Sequence, residues 1–488
     1  MTDIAASSFR SFVARVPRWV LLFGVALLVR ALTFGNPILH VDEEFYYATA
    51  HAIVHGAIPY VDVWDRKPVG LFLLYVPAAA LGLPLGIWAY QAMALASVTA
   101  TATLIARLAD RAGWAKGALP AAIAYLLWLN LLEGEGGQTP VFYNLLMVGA
   151  ASLLAPRPDD AAYPARRLAH GCAALTLVGL ALQIKYTVVF EGAFFGLWWM
   201  AREWRLGRSW WGVVLLATPL AVLAAVPTLA VWAWFGAHGL GDAFLYANFE
   251  SIGARGSDPI PRELGNLALM LLIVSPLGAM AILAARLPAR DDTQALRRWL
   301  VGWAIVAALG VLVFRGYFDH YGLPLLVPFC VCAAGFFAQH HRATRVRVPL
   351  LIVVLLASQI VLLAKRHERG TPAELAAITR AIGHGPGCLY VFSGSPMLYP
   401  LADRCTVTRY RFPRHIGQAK ERGAIGVDQQ GELERIMAQR PEIVVLGPVY
   451  SGERADLRAL FERYVAARYR QRADLPLGRG RIAVYALR

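Results

Sequence analysis

Residues 210–235 read WWGVVLLATPLAVLAAVPTLAVWAWF and contain no charged side chain. A helix of this length exceeds the roughly 20 residues that cross the ~30 Å hydrocarbon layer of a bilayer. Apolar runs of the same kind recur up to residue 364, at 18–34, 87–106, 118–132, 140–155, 168–184, 186–200, 265–285, 298–314, 320–338 and 348–364. The sequence therefore predicts a polytopic α-helical membrane protein with about eleven transmembrane helices.

The composition agrees with this interpretation but is not sufficient evidence for it. Hydrophobic residues make up 58% of the chain and charged residues 16%, whereas soluble proteins average about 45–50% and 25%. A long soluble chain can also bury many apolar residues, so their arrangement in long runs is decisive. The first run is interpreted as a retained signal-anchor, because no A-x-A-like cleavage site precedes the charged loop after it.

Basic residues outnumber acidic ones, with 47 Lys and Arg against 32 Asp and Glu. Such an excess can indicate nucleic-acid binding, but here the basic residues concentrate in alternate short loops, such as 107–116, 157–167 and 342–347. Basic loops tend to stay on the cytoplasmic side of a membrane. The charge therefore predicts orientation in the cytoplasmic (inner) membrane rather than a nucleic-acid partner. Residues 1–17 are then cytoplasmic, and an odd number of spans places the C-terminal segment outside.

The run at 68–83 (PVGLFLLYVPAAALGL) is the ambiguous one. If it crossed the membrane, the basic loop 107–117 would lie outside and the acidic 133–139 inside, against the charge rule. Its 16 residues are also marginal for spanning. We therefore interpret 35–86 as one long outer loop, with interfacial helices at about 43–55 and 68–82.

Residues 366–488 change character and are predicted to form an extracytoplasmic domain after a membrane domain at 1–365. Apolar strands alternate with amphipathic helices, which indicates a small soluble α/β fold. The predicted elements are helix 373–382, strand 388–392, helix 428–439, strand 442–447, helix 453–466 and strand 481–486.

Cys388 and Cys405 lie in this tail, on either side of a predicted turn and a short helix at 396–402. Thiols in an oxidising compartment tend to pair, so the outside placement predicts a disulfide between them. Two unrelated thiols are the alternative, since sequence does not show the Cα separation that a bridge requires.

Three carboxylates follow the first span at Asp42, Glu43 and Glu44. One interpretation is structural: Asp42 caps the helix that follows, and the two glutamates face its positive end. The other is chemical, because a hydroxyl acceptor is a poor nucleophile and a carboxylate beside the bilayer is a suitable general base. The residues alone leave both open.

Arg66, Lys67 and Pro68 form the second signal in the outer loop. Proline favours the first turn of a helix, so free N–H groups and two cations are predicted at one point. Helix N-termini with basic side chains bind phosphate. The alternatives are contact with lipid headgroups or pairing of the cations with Asp62 and Asp65.

Further polar residues are predicted at outer helix ends, where aromatic or basic anchors to the interface are the ordinary explanation. Singly each signal is weak, but together they place carboxylates, cations and tyrosines on one face. They are Tyr46, Lys185, Arg315, His320, Tyr321, Glu133 and Glu135.

At this point the chain resembles the GT-C glycosyltransferases, in particular those of the protein O-mannosyltransferase and lipid A aminoarabinose transferase type. The resemblance rests on Asp42-Glu43 after the first span, on Lys67-Pro68 opening an apolar helix, and on RGYFDHYGLPLLVP at 315–328. It covers roughly residues 18–340. It implies transfer of a sugar from a polyprenyl-phosphate sugar donor on the outer face, with Asp42 catalytic and with Lys67 and Tyr46 in the same site.

The chain departs from the family pattern at three places. Relatives often carry an arginine where this chain has Phe45, and an acidic residue beside the proline of the second outer loop, where it has QTP at 138–140. Glu135 is the acidic residue available for the latter role. Metal-using relatives have a carboxylate before the lysine, and Arg66 at that place argues against a bound divalent metal.

The sequence thus predicts an inverting glycosyltransferase that acts on a cell-envelope lipid, glycan or protein, with Asp42 as general base. The rivals are a transporter or flippase of lipid-linked glycans, and an inactive envelope scaffold. The candidate catalytic residues are Asp42, Glu43 and Glu135. The candidate donor-phosphate residues are Lys67, Arg66, Tyr46, Lys185, Arg315, His320 and Tyr321.

Overall fold

The computed structural model describes residues 16–488, so nearly all of the predicted cytoplasmic segment 1–17 lies outside the described residues. A helix lies at each predicted span. These helices are Arg18–Arg30, Leu85–Arg111, Ala115–Leu129, Thr139–Leu154, Pro164–Leu182, Val189–Arg205, Trp210–Ala237, Ile260–Ala285, Asp291–Val313, Leu323–Gln339 and Ala343–Arg369.

Within residues 16–488, 7 helices are long and apolar enough to cross a membrane by length and composition. The polytopic helical fold is thus confirmed, while the count of eleven spans stays a prediction. Helix Trp210–Ala237 is peripheral, with 11% of its most apolar segment buried, whereas 78% of the corresponding segment of Asp319–Gln339 is buried. The peripheral helix therefore offers most of its surface to lipid.

The centre of the bundle depends on close helix contacts. Helix Ala115–Leu129 packs against Leu323–Gln339, and a Cβ atom at Gly117 would collide with the backbone carbonyl of Ala334. Small residues let membrane helices approach closely, which replaces the hydrophobic drive that lipid does not supply.

The outer loop 35–86 holds two short helices, Val41–Val54 and Val69–Ala79, which pack against each other. The second has 11 residues, and at about 1.5 Å per residue it is roughly half the thickness of the hydrocarbon layer. This short length agrees with the interfacial placement that the charge argument predicts. We call the two helices the first and second interfacial helix.

The C-terminal segment forms a four-stranded sheet in the order β1-β2-β4-β3, with β1 Leu389–Ser393, β2 Ile443–Leu446, β3 Tyr469–Leu477 and β4 Gly480–Leu487. Strands β1 and β2 are parallel, and β4 is antiparallel to both of its neighbours. The accompanying helices are Pro372–Ile382, Leu398–Ala402, Pro413–Gly417, Gln429–Ala438 and Ala455–Arg468. The predicted small α/β domain is confirmed, but strand β3 was not predicted.

Cys388 and Cys405 lie at bonding distance in the structure, with Cα atoms 4.4 Å apart. The chain returns beside β1 because the Leu389 N–H donates to the Cys405 carbonyl at 2.9 Å. The turn and short helix between the two cysteines make this return possible.

The C-terminal domain packs directly on the outer loop. The Trp64 N–H donates to the Arg409 carbonyl at 2.9 Å. The Arg66 guanidinium donates two hydrogen bonds to the Glu421 carboxylate, of 3.1 and 2.6 Å. The segment between the interfacial helices is therefore held from above by residues more than 300 positions away in sequence.

Candidate active site

Asp42 lies in the first turn of the first interfacial helix, but it is not the cap of that helix. The cap is His40, whose Nδ1 accepts the Asp42 N–H at 3.1 Å. The capping role considered for Asp42 is therefore wrong. Among residues 16–488 no group donates a hydrogen bond to its carboxylate, and the side chain is 19% exposed. The carboxylate is thus free and accessible.

Two imidazoles flank this carboxylate. Its Oδ2 atom lies 3.9 Å from His40 Nδ1 and 4.0 Å from His320 Nε2. Burial alone would raise the pKa of Asp42, but Lys67, His40, His320 and Arg414 together hold it well below its usual range. Asp42 is therefore ionised at any physiological pH.

Glu133 ties the two histidines together. Its Oε2 atom lies 3.2 Å from His40 Nε2 and 3.6 Å from His320 Nδ1. Its Oε1 atom pairs with Lys365 at 2.8 Å and with Arg369. Burial would raise the pKa of Glu133, but the two imidazoles and Arg369 hold it far below its usual range. The Glu133 carboxylate thus lies close to both rings that face Asp42.

The other two candidate catalytic carboxylates lie elsewhere. Glu135 is buried and pairs with Arg369 at 3.1 Å. Glu43 is 1% exposed and lies against Gly136, on the side of the helix that faces loop 133–138. Burial raises the pKa of Glu43 to about 7. The structure brings neither to the Asp42 carboxylate, so a catalytic role for Glu43 or Glu135 has no support here.

Lys67 and Tyr46 lie next to each other in the outer loop. The Lys67 ammonium pairs with Asp65 at 3.2 Å and lies 5.1 Å from the centre of the Tyr46 ring. Burial would lower the pKa of Lys67, but Asp65 and Asp42 raise it above its usual value. Lys67 is therefore a permanent cation next to Asp42.

Lys185 is the second cation of the site. Its ammonium lies 4.7 Å from the centre of the Tyr321 ring, and within residues 16–488 no carboxylate pairs with it. Burial lowers the pKa of Lys185 to about 8, and the charge of Lys67 acts in the same direction. An anion that bound here would restore the ammonium to full charge.

Lys185 lines a cavity of about 80 Å³. The cavity lies between the outer ends of helices Val189–Arg205, Asp291–Val313 and Leu323–Gln339. Its walls are mostly apolar and include Phe190, Val311, Phe314 and Pro324, with Tyr321 next to Lys185. The cavity thus offers a mostly apolar space inside the bundle, with the Lys185 ammonium and the Glu191 carboxylate in its lining.

Arg66 and Arg315 are not brought to this group as free cations. Arg66 is hydrogen-bonded to Glu421, as described above. Arg315 pairs with Glu263 at 2.8 Å and is 56% exposed. The predicted phosphate contacts of these two arginines therefore have no support in the structure. Their partners lie far away in sequence, which is why the sequence did not reveal them.

The departures from the family pattern have structural counterparts. The Phe45 ring lies 5.2 Å from Phe412 and 5.9 Å from His415, both in the C-terminal domain. The Gln138 amide lies 2.6 Å from His40 Nδ1. Phe45 thus contacts the C-terminal domain, and Gln138 contacts His40 of the site.

His40, Asp42 and His320 each offer one possible ligand atom to a cation, and these atoms lie within 4.8 Å of one another. Two imidazoles and a carboxylate suit zinc or a related ion. However, the offered lone pair of His40 Nδ1 already accepts the Asp42 N–H and faces the Gln138 amide. The group does not fit a resident metal without moving these partners, and we derive no step through one.

Sequence reasoning missed His40 as a site residue and favoured Glu135 over Glu133. The alternating Glu-Gly-Glu of 133–135 does not tell which carboxylate faces the histidines. In the structure it is Glu133 whose carboxylate lies near both histidines. Its backbone there is left-handed, with φ 58°. His40 carries one signal in the sequence, its place just before the helix that contains Asp42.

Comparison with known proteins gives structural neighbours only. No family model and no curated protein matches the sequence. ArnT from Cupriavidus metallidurans, solved with bound undecaprenyl phosphate and in the apo state, superposes with a TM-score of 0.65 in both cases. The identities are 15% and 16%, over 96% of this chain and 98% and 97% of those chains.

A second neighbour is the arabinofuranosyltransferase AftD from Mycobacteria, with a TM-score of 0.51 and 16% identity. The match covers 96% of this chain and 42% of AftD. Both likenesses run through the membrane bundle and into the C-terminal domain. The chain therefore shares its fold with ArnT and with AftD.

Proposed function

We propose that this protein transfers a sugar from a polyprenyl-phosphate sugar to a cell-envelope acceptor on the outer face of the cytoplasmic membrane. One observation carries the proposal: the charges of Lys67 and Lys185 both interact with the free carboxylate of Asp42, and Lys185 lines a mostly apolar cavity. A polyprenyl phosphate has the matching chemistry, an anion on a long apolar chain. The fold shared with ArnT, which was solved with undecaprenyl phosphate, is consistent with this donor.

The reaction we propose is a single displacement at the anomeric carbon. The acceptor oxygen forms a bond to that carbon while the bond from the carbon to the phosphate oxygen breaks. The electron pair leaves with the polyprenyl phosphate, and the acceptor proton goes to the Asp42 carboxylate. The attack from the face opposite the leaving group inverts the configuration.

Lys67 and Lys185 act on the leaving group. Negative charge on the phosphate increases as the glycosidic bond breaks, so fixed cations stabilise the transition state more than the ground state. Lys67 is held by Asp65 and by the Tyr46 ring, whereas Lys185 rests on Tyr321. Tyr46 and Tyr321 are therefore positioning residues for the two ammonium groups.

His40, His320 and Glu133 position the base. The Nδ1 atom of His40 accepts the Asp42 N–H, which leaves its Nε2 proton directed to Glu133. The low pKa of Asp42 keeps the carboxylate ionised until the acceptor hydroxyl becomes acidic through partial bond formation. Proton transfer to Asp42 is therefore late in the displacement.

The orientation is part of the same proposal. The site lies at the end of the bundle that carries the interfacial helices and the 366–488 domain, and the charge rule puts that end outside. Reporter fusions at positions 112, 161 and 343 are expected to report the cytoplasm, and those at 136, 256 and 400 the outside. A cytoplasmic signal from position 400 would reverse the assignment.

Donor binding tests the proposal directly. The purified protein in detergent is expected to bind undecaprenyl phosphate, and Lys185→Ala is expected to weaken this binding by roughly 10- to 100-fold, the value of a charge-assisted contact. Arg315→Ala is the matched control, because Arg315 pairs with Glu263. Equal losses in both variants, or no binding by the wild type, would contradict the proposed donor site.

The rival transporter makes a different prediction. A flippase moves a lipid-linked glycan intact, so it needs no base and forms no new glycosidic bond. In the described part of the chain Asp42 and Lys67 lie in the outer loop and Lys185 lies between two predicted spans, whereas transporter sites are found near the bilayer midplane. Appearance of free polyprenyl phosphate as a product separates the two functions.

A further inference from the structure

Asn248 is a buried amide in the loop that follows helix Trp210–Ala237. It lies on the π-helical turn Tyr246–Glu250, and its side chain is 0% exposed. Turns of this kind are rare and frequently occur at functional sites. The Asn248 Nδ2 group donates to the Phe244 carbonyl at 3.0 Å. This bond fixes the orientation of the amide and leaves its Oδ1 atom to accept hydrogen bonds from other parts of the chain.

Two tyrosine hydroxyls meet at this Oδ1 atom. The Tyr186 hydroxyl donates to it at 3.0 Å, and the Tyr60 hydroxyl lies 3.3 Å away. In the described part of the chain, no other group accepts a hydrogen bond from the Tyr186 hydroxyl. The Tyr60 hydroxyl also donates to the Lys67 carbonyl at 2.9 Å, so its proton is shared between two acceptors. Asn248 therefore connects two tyrosines that are distant in sequence.

Each tyrosine is coupled to the backbone of one lysine of the site. Tyr60 is hydrogen-bonded to the Lys67 backbone, and Tyr186 is the residue directly after Lys185. We call residues 58–67 and 184–188 the two lysine segments. Through these tyrosines, one amide is attached to both lysine segments.

The chain is closely packed beside the two lysine segments. Gly70 lies just after the first segment, and Gln183 lies just before the second. A Cβ atom at Gly70 would lie 2.8 Å from the Gln183 carbonyl oxygen. The hydrogen bonds at Asn248 therefore act on parts of the chain that are already neighbours, and they restrict how the two lysine backbones are placed relative to each other.

The loop that carries Asn248 is attached to the C-terminal domain at its far end. The Gly256 N–H donates to the Lys420 carbonyl at 2.9 Å, and the Arg255 guanidinium pairs with Glu421 at 2.7 Å. Asn248 thus belongs to a loop that is fixed at a second point, and its amide is a firm attachment for the two tyrosines.

We propose that Asn248 is a positioning residue, which sets the spacing of Lys67 and Lys185 for the phosphate of the donor. The proposal rests on the proposed glycosyl transfer and adds to it a residue that acts through both lysines. An ammonium group stabilises the leaving phosphate only when it stands where negative charge develops. A displacement of about 1 Å is enough to weaken such a contact severely. The hydrogen bonds of Tyr60 and Tyr186 to Asn248 oppose this displacement.

Backbone hydrogen exchange, measured by mass spectrometry on the purified full-length protein in detergent, tests this role without a donor. Asn248→Leu removes the amide and nearly keeps the size of the side chain. It is expected to speed exchange at least severalfold in both lysine segments, because exchange follows local opening of the backbone. Exchange in strand β1 should stay at the wild-type rate, which shows that the variant is folded. Unchanged exchange in both lysine segments would overturn the proposal.

Three further variants sharpen this measurement. Tyr186→Phe is expected to act on 184–188 more than on 58–67, and Tyr60→Phe to do the reverse. Asn266→Leu is the matched control: the Asn266 amide donates to the Gly316 carbonyl at 2.8 Å and, within residues 16–488, makes no hydrogen bond to either lysine segment. It should leave both segments at the wild-type rate. Equal acceleration by Asn266→Leu and Asn248→Leu would contradict a specific role for Asn248.

Donor affinity gives the second arm of the test. Asn248→Leu is expected to weaken binding of undecaprenyl phosphate by roughly tenfold, the lower end of a charge-assisted contact. The KM for an envelope extract used as acceptor should stay at the wild-type value. On a Lys185→Ala background the same substitution should cost about threefold or less, because residues that act together do not have additive effects. Equal losses in the two backgrounds, or an equal rise in the acceptor KM, would show a general structural effect instead.

The two arms separate this proposal from the one on which it rests. If the wild type fails to bind undecaprenyl phosphate, the proposed donor is wrong, and the exchange rates still decide whether Asn248 places the two lysine segments. If the wild type binds undecaprenyl phosphate and Asn248→Leu binds it equally well, the donor stands and the positioning role of Asn248 is refuted.

Discussion

The two ends of the membrane bundle differ in how their acidic side chains are paired. At the end away from the interfacial helices, acids are bonded directly to arginines: Glu203 accepts from Arg167 at 2.6 Å, and Asp160 from Arg202 at 3.1 Å. At the other end, the nearest basic atoms to the Asp42 carboxylate are imidazole nitrogens at 3.9 and 4.0 Å. The first arrangement satisfies its charges and fastens helices together. The second leaves a carboxylate without a hydrogen bond among residues 16–488, and is suited to a substrate.

The largest effect is expected from Asp42→Asn, which removes the proton acceptor and keeps the shape of the side chain. The rate of transfer should fall by about 10²–10⁴, the range of general base catalysis. Yield, membrane insertion and affinity for undecaprenyl phosphate should stay at wild-type values. The rate is measured as release of polyprenyl phosphate per molecule of folded protein.

The control for this comparison is Glu203→Gln at the opposite end. It breaks a bonded pair and leaves Arg167 without its partner, so it should lower thermal stability and yield. The rate per folded molecule should not change. A variant of Glu203 that folds normally but loses turnover, or an Asp42→Asn variant that keeps it, would contradict the division into structural and functional charges.

A smaller effect is expected from Lys67→Ala. This cation is shared between Asp65, Asp42 and, in our proposal, the donor phosphate. Loss of a charge-assisted contact should weaken donor binding by about 1.5–3 kcal/mol. The KM for the acceptor should change much less, and titration of each substrate in turn measures both. Equal damage to donor and acceptor would mean that Lys67 shapes the loop instead of binding phosphate.

The smallest effect is expected at Glu43. Unlike Glu203 and Asp42, its carboxyl group is fully buried, has no hydrogen-bond partner among residues 16–488 and resists ionisation. Burial raises its pKa from 4.5 to about 7, so the folded protein holds this proton more tightly than the unfolded chain. The contribution to stability is then complete below about pH 4.5 and is lost as the pH rises through about 7. Glu43→Gln carries no such charge. Its melting temperature should match the wild type at low pH and exceed it by a few degrees above pH 7.

Glu135→Gln is the control for this pH dependence. Glu135 pairs with Arg369 at 3.1 Å, so its removal should destabilise the protein at both pH values. Differential scanning fluorimetry on either side of pH 7 compares the two variants. A Glu43→Gln variant that is less stable than wild type at the higher pH would show that Glu43 is held as a carboxylate.

Much of the fold was predictable because hydrocarbon imposes strong rules. Apolar run length and the basic loops located every long helix, and the marginal run at 68–83 holds only the 11-residue helix Val69–Ala79. Strand β3 was not predicted because its residues 470–472 are Arg-Gln-Arg and most of its side chains are exposed. Its apolar face is confined to Ala473, Leu475 and Leu477 after these polar residues, and so short an alternation gives little period-two signal.

The site was less predictable because it depends on pairings between distant residues. Asp42, Lys67, Lys185 and His320 could be proposed from their places at outer helix ends, and the structure brings them together. Arg66 and Arg315 have equally good places, yet Glu421 and Glu263 engage them. No local pattern reveals such a partner.

Mass spectrometry of envelope lipids and glycans tests the central claim most directly. Three strains are compared: one that lacks this protein, one that regains the wild type, and one that regains Asp42→Asn at the same membrane level. The account predicts that one envelope component loses the mass of a sugar in the first strain, recovers it in the second and does not recover it in the third. Recovery with Asp42→Asn, or identical envelopes in all three strains, would contradict the proposed glycosyl transfer at Asp42.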